Sequence, residues 1–215
     1  MRSQQSGFTL VEIAIVLVII GLLLGGILKG QELINSAKVK NLANDFRVIP
    51  TYIYAFQDKF KSLPGDDPAG QTHLPGGAAS DNGNGNGVID GAWNSTTATD
   101  ESNLFWRHVR LANLAAGPTV QTDPEYVPKN AVSGILGVSS TTAPQIHITG
   151  MTGTYQVCSA GVLGKFAKQL DIQMDDGNTA TGSMRAVLDT AALGTAGVAT
   201  GAIDEAAAYT VCMTF

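Results

Sequence analysis

Sixteen consecutive residues, Ile13 to Leu28, carry no charge, and one carboxylate, Glu12, stands immediately before them. Extended back to Phe8 the segment is 21 residues long, enough to cross a hydrocarbon core of about 30 Å. An acidic side chain inside such a segment costs roughly 2.5–3.5 kcal/mol on insertion scales, which makes Glu12 a functional candidate. A secretory signal peptide would end in small residues in an A-x-A-like pattern. Here the run leaves through Leu28-Lys29-Gly30-Gln31 into a helical pattern, against that reading. A plain signal anchor fits the hydropathy but gives no role to Glu12 or to the Gly7-Phe8 junction at the polar boundary.

Gly7-Phe8-Thr9-Leu10-Val11-Glu12 resembles the processing site of type IV pilins and of the pseudopilins of type II secretion. The resemblance implies that prepilin peptidase cuts after Gly7 and methylates the new amino terminus at Phe8. Residues 1–7 are then a leader, 8–28 a transmembrane helix, and Glu12 the fifth mature residue, where the family carries its glutamate. It further implies that Glu12 pairs with the Phe8 amine of a neighbouring subunit. In a low dielectric that attraction is magnified, and pairing would set the axial register between subunits. Lys29 stands where many major pilins have proline, so any local unwinding falls to Gly21, Gly25 and Gly26, which are weak helix formers. The partners implied are identical or related pilin subunits and an inner-membrane assembly platform. The precursor is expected to span the inner membrane once with its head in the periplasm, and then to enter an extracellular pilus or a periplasmic pseudopilus.

Beyond the membrane the helix is expected to continue over 29–62. Val39, Leu42, Phe46, Ile49, Ile53, Phe56 and Phe60 recur at spacings of three and four, one apolar seam. A coiled coil has the same seam, but about three heptads favour packing on the protein's own sheet. Pro50 lacks the N–H that would bond to Phe46 and is expected to kink the helix, and Ser62-Leu63-Pro64-Gly65 ends it. Charge divides along the same boundary. Residues 1–62 hold seven Lys/Arg against four Asp/Glu, and residues 63–215 six against fourteen. An acidic head argues against nucleic acid as a partner, since phosphate contact needs a basic face.

Residues 63–215 read as a globular α+β head, large enough to bury a core. Asn82-Gly83-Asn84-Gly85-Asn86-Gly87-Val88-Ile89-Asp90 places oxygen-bearing side chains at positions 1, 3, 5 and 9 and glycine at 6 of a calcium-type loop. Position 12 is Trp93 rather than the bidentate Glu, leaving Asp66, Asp67, Asp100 or Glu101 to complete a low-affinity site. The alternative is a Gly/Asn turn using positive φ. Residues 101–114 read as a short helix ended by Gly117-Pro118. Trp106 and His108 on it read as a binding pair or, more simply, as core and cap. Leu63-Pro64-Gly65-Asp66, the Asn-Gly run and Trp106-x-His108 together resemble a larger-headed subgroup of pilin-like proteins.

The C-terminal half reads as antiparallel sheet. Residues 145–149 and 154–158 alternate around a Thr-Gly turn as a hairpin, with His147 facing away from the core. A short helix from Val162 to Met174 runs into the Asp175-Asp176-Gly177-Asn178 turn. Strands follow at 183–188 and 208–214, with an Ala/Gly/Thr-rich loop, mobile or simply packed, between them. Cys158 and Cys212 both fall in expected strands. In an exported head they form a disulfide closing a loop of about 55 residues, and in a cytosolic head two free thiols. The resemblance places a disulfide near the C-terminus. Nucleophile, zinc and phosphate-loop motifs are absent, and the pairs Asp66/Asp67 and Asp175/Asp176 read as solvated turn acids. The expected protein is a non-enzymatic filament subunit, a long helix packed on an antiparallel sheet. The alternatives are a tip adhesin on the same scaffold, or less simply a membrane-anchored enzyme.

Overall fold

The computed structural model describes residues 9–142 and 144–215. One helix, α1, runs from Leu10 to Phe60. The chain divides into two compact units at Lys38/Val39. In the first unit the residues of α1 that were read as membrane-spanning are exposed throughout, from Leu10 at 86% to Ile20 at 46%. In the second unit the seam is buried: Leu42, Phe46, Ile53 and Phe56 are fully enclosed, and Val39 and Ile49 nearly so. The seam therefore belongs to the head's own core. Pro50 sits buried within α1, and the helix is continuous to Phe60. Lys61 follows with φ of 58°, a left-handed residue of the kind that closes helices.

The head contains α2 (Gly70–His73), α3 (Glu101–Leu111) and α4 (Gly164–Met174). Its strands are β1 (Leu136–Ser140), β2 (Ile148–Thr149), β3 (Tyr155–Leu163), β4 (Met184–Leu188), β5 (Thr195–Ala196) and β6 (Ala208–Thr214). A four-stranded sheet has the order β1-β3-β6-β4, every neighbour antiparallel. The fold is thus α+β, a long helix followed by an antiparallel sheet. Val138, Val157, Met184, Ala186 and Val211 share the main core with the α1 seam and with Phe166 and Leu170 of α4. A smaller cluster holds Trp93, Ile148, Met151, Val187 and both cysteines. Successive residues on a strand point to opposite faces, so Val157 joins one cluster and Cys158 the other.

Two expectations are corrected. Residues 145–149 and 154–158 do not form a hairpin: β2 is two residues long and pairs in parallel with β5. The antiparallel partner of β3 is β1 instead, which the alternation pattern did not mark. β1 is five residues, Leu-Gly-Val-Ser-Ser, buried along its whole length, and with one β-branched residue it carries little of the composition that marks a strand. His147 does not face away from the core. It is 4% exposed and meets Trp93 edge-on at 5.6 Å, because this side of the sheet is covered as well.

Candidate functional site

The first unit carries the assembly candidates. Gly7 and Phe8 lie outside the described residues. At the start of α1, Thr9 donates from its backbone N (2.8 Å) and from Oγ1 (2.7 Å) to Glu12 Oε2, and Glu12 N donates to Thr9 Oγ1 (3.3 Å). This reciprocal pattern is a capping box, whose signature is Ser/Thr followed three residues later by Glu. The signal was present in Thr9-Leu10-Val11-Glu12 and was overlooked in favour of the membrane reading. Glu12 therefore has a local role, closing the helix start, and its carboxylate stays on the exposed surface of α1.

In the head the Asn-Gly loop is organised from outside itself. Asp66, 3% exposed, accepts from Gly85 N (2.6 Å) and Asn86 N (3.1 Å) on Oδ1, and from Gly87 N (2.7 Å) on Oδ2. Glu101, 5% exposed, accepts from Asn84 N (2.8 Å) and Asp90 N (3.0 Å). Burial pushes the Glu101 carboxyl upward, and the two backbone donors offset part of that. Gly85 and Gly87 adopt φ of 74° and 80°, the conformation that turns successive N–H groups inward around an acceptor.

Of the four residues read as calcium ligands, three come together. The amides of Asn84 and Asn86 both donate to Asp90 Oδ2, at 2.9 and 3.0 Å. Asn82 is engaged elsewhere, its Oδ1 accepting from Gln71 N at 2.8 Å. The Oδ1 atoms of Asn84 and Asn86 accept the backbone N–H groups of Asn86 and Val88.

Asp66 and Asp67 are not solvated turn acids. Asp67 is fully buried and meets His73 Nδ1 at 2.7 Å. His108 is likewise structural: Gly65 N donates to Nδ1 (2.9 Å) and Nε2 faces the Asp81 carbonyl (2.8 Å). That pattern fixes a neutral ring with its proton on Nε2, and burial lowers its pKa in agreement. Gly65 itself, with φ of 94°, lies where a Cβ would overlap the Glu101 carbonyl. Trp106 is core, with the Arg110 guanidinium over its ring at 5.7 Å.

A cleft of about 520 Å³ opens beside this loop, lined by Tyr54, Lys61, Asp66, Gly85, Tyr155 and Phe215 among others. The rings of Tyr155 and Phe215 stack at 5.7 Å on its wall. A second cavity of about 230 Å³ includes Asp45, Arg110 and Lys129 in its lining. Burial raises the Asp45 carboxyl to about 6. A raised carboxyl binds protons more tightly folded than unfolded, so stability falls as pH rises between about 4 and 6. The loss is on the order of 1–2 kcal/mol once partial exposure is allowed for. Asp45→Asn should raise the thermal midpoint by a few degrees at pH 7.5 and leave it nearly unchanged at pH 4.5. Equal shifts at both pH values would assign the effect to packing.

Cys158 and Cys212 are opposite one another in the β3–β6 register and form a disulfide, with Cα atoms 4.1 Å apart.

Residues 2–28 match the family model of the prokaryotic N-terminal methylation motif, the hallmark of type IV pilins and pseudopilins. The match covers 27 of the 215 residues, at the amino-terminal end. No curated protein and no solved structure matches it. The motif points to a structural role rather than an enzymatic one, and it implies processing by prepilin peptidase and assembly with other pilin subunits. The unburied apolar stretch of α1 is long and apolar enough to cross a membrane, as a membrane-anchored precursor requires.

Proposed function

We propose that this chain is a structural subunit of a type IV pilus-like or type II secretion pseudopilus filament. It is processed after Gly7 and held in the inner membrane by residues 8–28 before assembly, with its head in the periplasm. The observation that carries this reading is the coincidence of the methylation motif at residues 2–28 with an α1 surface exposed from Leu10 to Leu28 that bears one charge, Glu12. An apolar surface of that extent is buried either in lipid or against other copies of itself, and both occur along an assembly pathway. Glu12 pairs with the methylated Phe8 amine of the next subunit, exchanging its Thr9 cap for a full opposite charge in low dielectric.

A ligand-binding minor pilin or tip adhesin is the second reading, favoured by the cleft whose wall joins stacked aromatics to the Asn-Gly loop. The filament reading is tested in cells expressing Glu12→Ala or Glu12→Gln. Sheared or purified filaments, counted by electron microscopy, should fall at least tenfold (about 1.4 kcal/mol at one subunit contact) while the membrane pool of processed protein stays constant. Normal filament numbers without the carboxylate would remove Glu12 from assembly. The intact mass of the mature protein should correspond to a start at Phe8 with one added methyl group.

A further inference from the structure

The turn after α4 holds a group of acids that the filament reading leaves unused. One carboxylate oxygen from each of Asp171, Asp175 and Asp176 lies within 4.8 Å of the other two. Asp171 is fully buried on the last turns of α4, and neither of its oxygens has a hydrogen-bond partner among the described residues. The backbone N–H groups of Gly177 and Asn178 lie near it and offset its burial only in part. A carboxylate enclosed in this way is strongly unfavourable unless a positive charge or a set of donors meets it. The other two are already anchored for a different purpose. Asp175 Oδ2 accepts from Met184 N at 2.7 Å, and Asp176 accepts from Asn178 N and Thr181 Oγ1 at 2.8 Å each. Those bonds hold the acids in place and leave further lone pairs on each. Arg185, which acts on Asp176 from a distance, gives its guanidinium to the carbonyls of Thr149 and Gly182. It forms no ion pair with the cluster.

We infer that Asp171, Asp175 and Asp176 form a calcium site, with backbone carbonyls and water completing the coordination. The donors are all oxygen, with no histidine or cysteine among them, which selects a hard cation. The group combines a buried, a half-buried and an exposed carboxylate on a turn, a geometry that suits the large and adaptable shell of Ca²⁺ better than the small octahedron of Mg²⁺. Three carboxylates presented by a turn place the affinity in the range of extracellular modules, about 10⁻⁴–10⁻³ M. The site is separate from the Asn-Gly loop, whose oxygens already accept backbone N–H groups. Its consequence is local ordering. The turn is tied to β4 through Met184 and to the loop before β6 through Thr200 Oγ1, which donates to Gly177 O at 3.0 Å. Calcium would therefore fasten α4, β4 and the Thr195–Ile203 loop together.

The test uses the full chain in detergent, stripped with EDTA, its unfolding followed by tryptophan fluorescence. With 10 mM CaCl₂, about ten- to a hundredfold above the expected Kd, the unfolding midpoint should rise by about 3 °C or more, and MgCl₂ should give no comparable rise. Calorimetric titration with CaCl₂ should show one site. Asp176→Asn, at an exposed position where the amide oxygen can keep the bond from Asn178 N, should weaken binding at least tenfold, and Asp171→Asn should abolish it. If Asp171→Asn fails to fold, Asp176→Asn decides alone. The proposal is overturned if calcium leaves the wild-type midpoint unmoved, or if its effect persists in Asp176→Asn. It is also overturned if the effect is lost only in Asp90→Asn, which would place the cation in the Asn-Gly loop.

Discussion

Replacing Cys158 and Cys212 together by alanine, or reducing the bridge, should lower the thermal midpoint of the protein by roughly 8–16 °C. The bond spans 54 residues of sequence, and closing a loop of that size removes about 4 kcal/mol of unfolded-state freedom in the chain-entropy treatment. For a domain of this size each kcal/mol moves the midpoint by about 2–4 °C. The folded state supplies little of the effect, because β3 and β6 are already joined by a register of backbone pairs on either side of the cysteines. The loop contains α4, β4 and β5, half of the sheet's supports, so the open chain must recover all of them without a tether. Both cysteines are fully buried beside Trp93, Ile148 and Val187, and the alanine pair adds a small void to the loss. Thermal unfolding of oxidised, reduced and double-alanine protein checks this. Midpoints within about 2 °C of one another would mean that the denatured chain keeps enough structure to make the tether redundant.

The parts of this molecule that repeat were legible in sequence, and the parts that depend on distant partners were not. The α1 seam reads directly because a buried helical face imposes a spacing of three and four, and every seam residue from Val39 to Phe56 is buried as that spacing requires. The cysteine pair was legible as two strand residues, although the choice between bridge and free thiols needed the β3–β6 register. The hairpin failed because alternation reports a sheet with one wet face, and here Trp93 and Met151 cover the second face. Ile-His-Ile therefore lost its usual meaning, and β1, Leu-Gly-Val-Ser-Ser with one β-branched residue, gave no signal. The Asn-Gly loop has an organisation that its spacing does not report. Oxygens at every second residue suit a cation, but the intervening glycines also permit the positive φ that turns backbone N–H groups toward a single acceptor. That acceptor is Asp66, some 19 to 21 residues earlier, and spacing cannot report a contact at that range.

Asp66→Ala should lower stability by about 2–4 kcal/mol and the midpoint by roughly 4–16 °C. Three backbone N–H groups converge on this one carboxylate; Asp66 is nearly enclosed but Gly85, Asn86 and Gly87 are exposed, so in the alanine variant water replaces part of what the three lose. Charge-assisted bonds of this kind contribute about 1.5–3 kcal/mol each when measured singly. They share an acceptor, so the total falls well short of three times that value. Asp66→Asn separates charge from shape. Its single carbonyl can serve Gly85 and Asn86, but its amide would face the Gly87 N–H, donor against donor, so roughly half of the loss should remain. Hydrogen exchange distinguishes a local failure from a global one. In Asp66→Ala the amides of Gly85, Asn86 and Gly87 should lose protection first, while those of Asn84 and Asp90, held by Glu101, persist until the head unfolds. Unchanged protection at Gly85 to Gly87 would show that the glycine conformations hold the loop without the carboxylate. Because Asp66, Gly85 and Gly87 also line the aromatic cleft, the same variant should widen that cleft. Any ligand captured there would then lose affinity in proportion to the lost loop order, which ties the adhesin reading to a quantity measured without knowing the ligand.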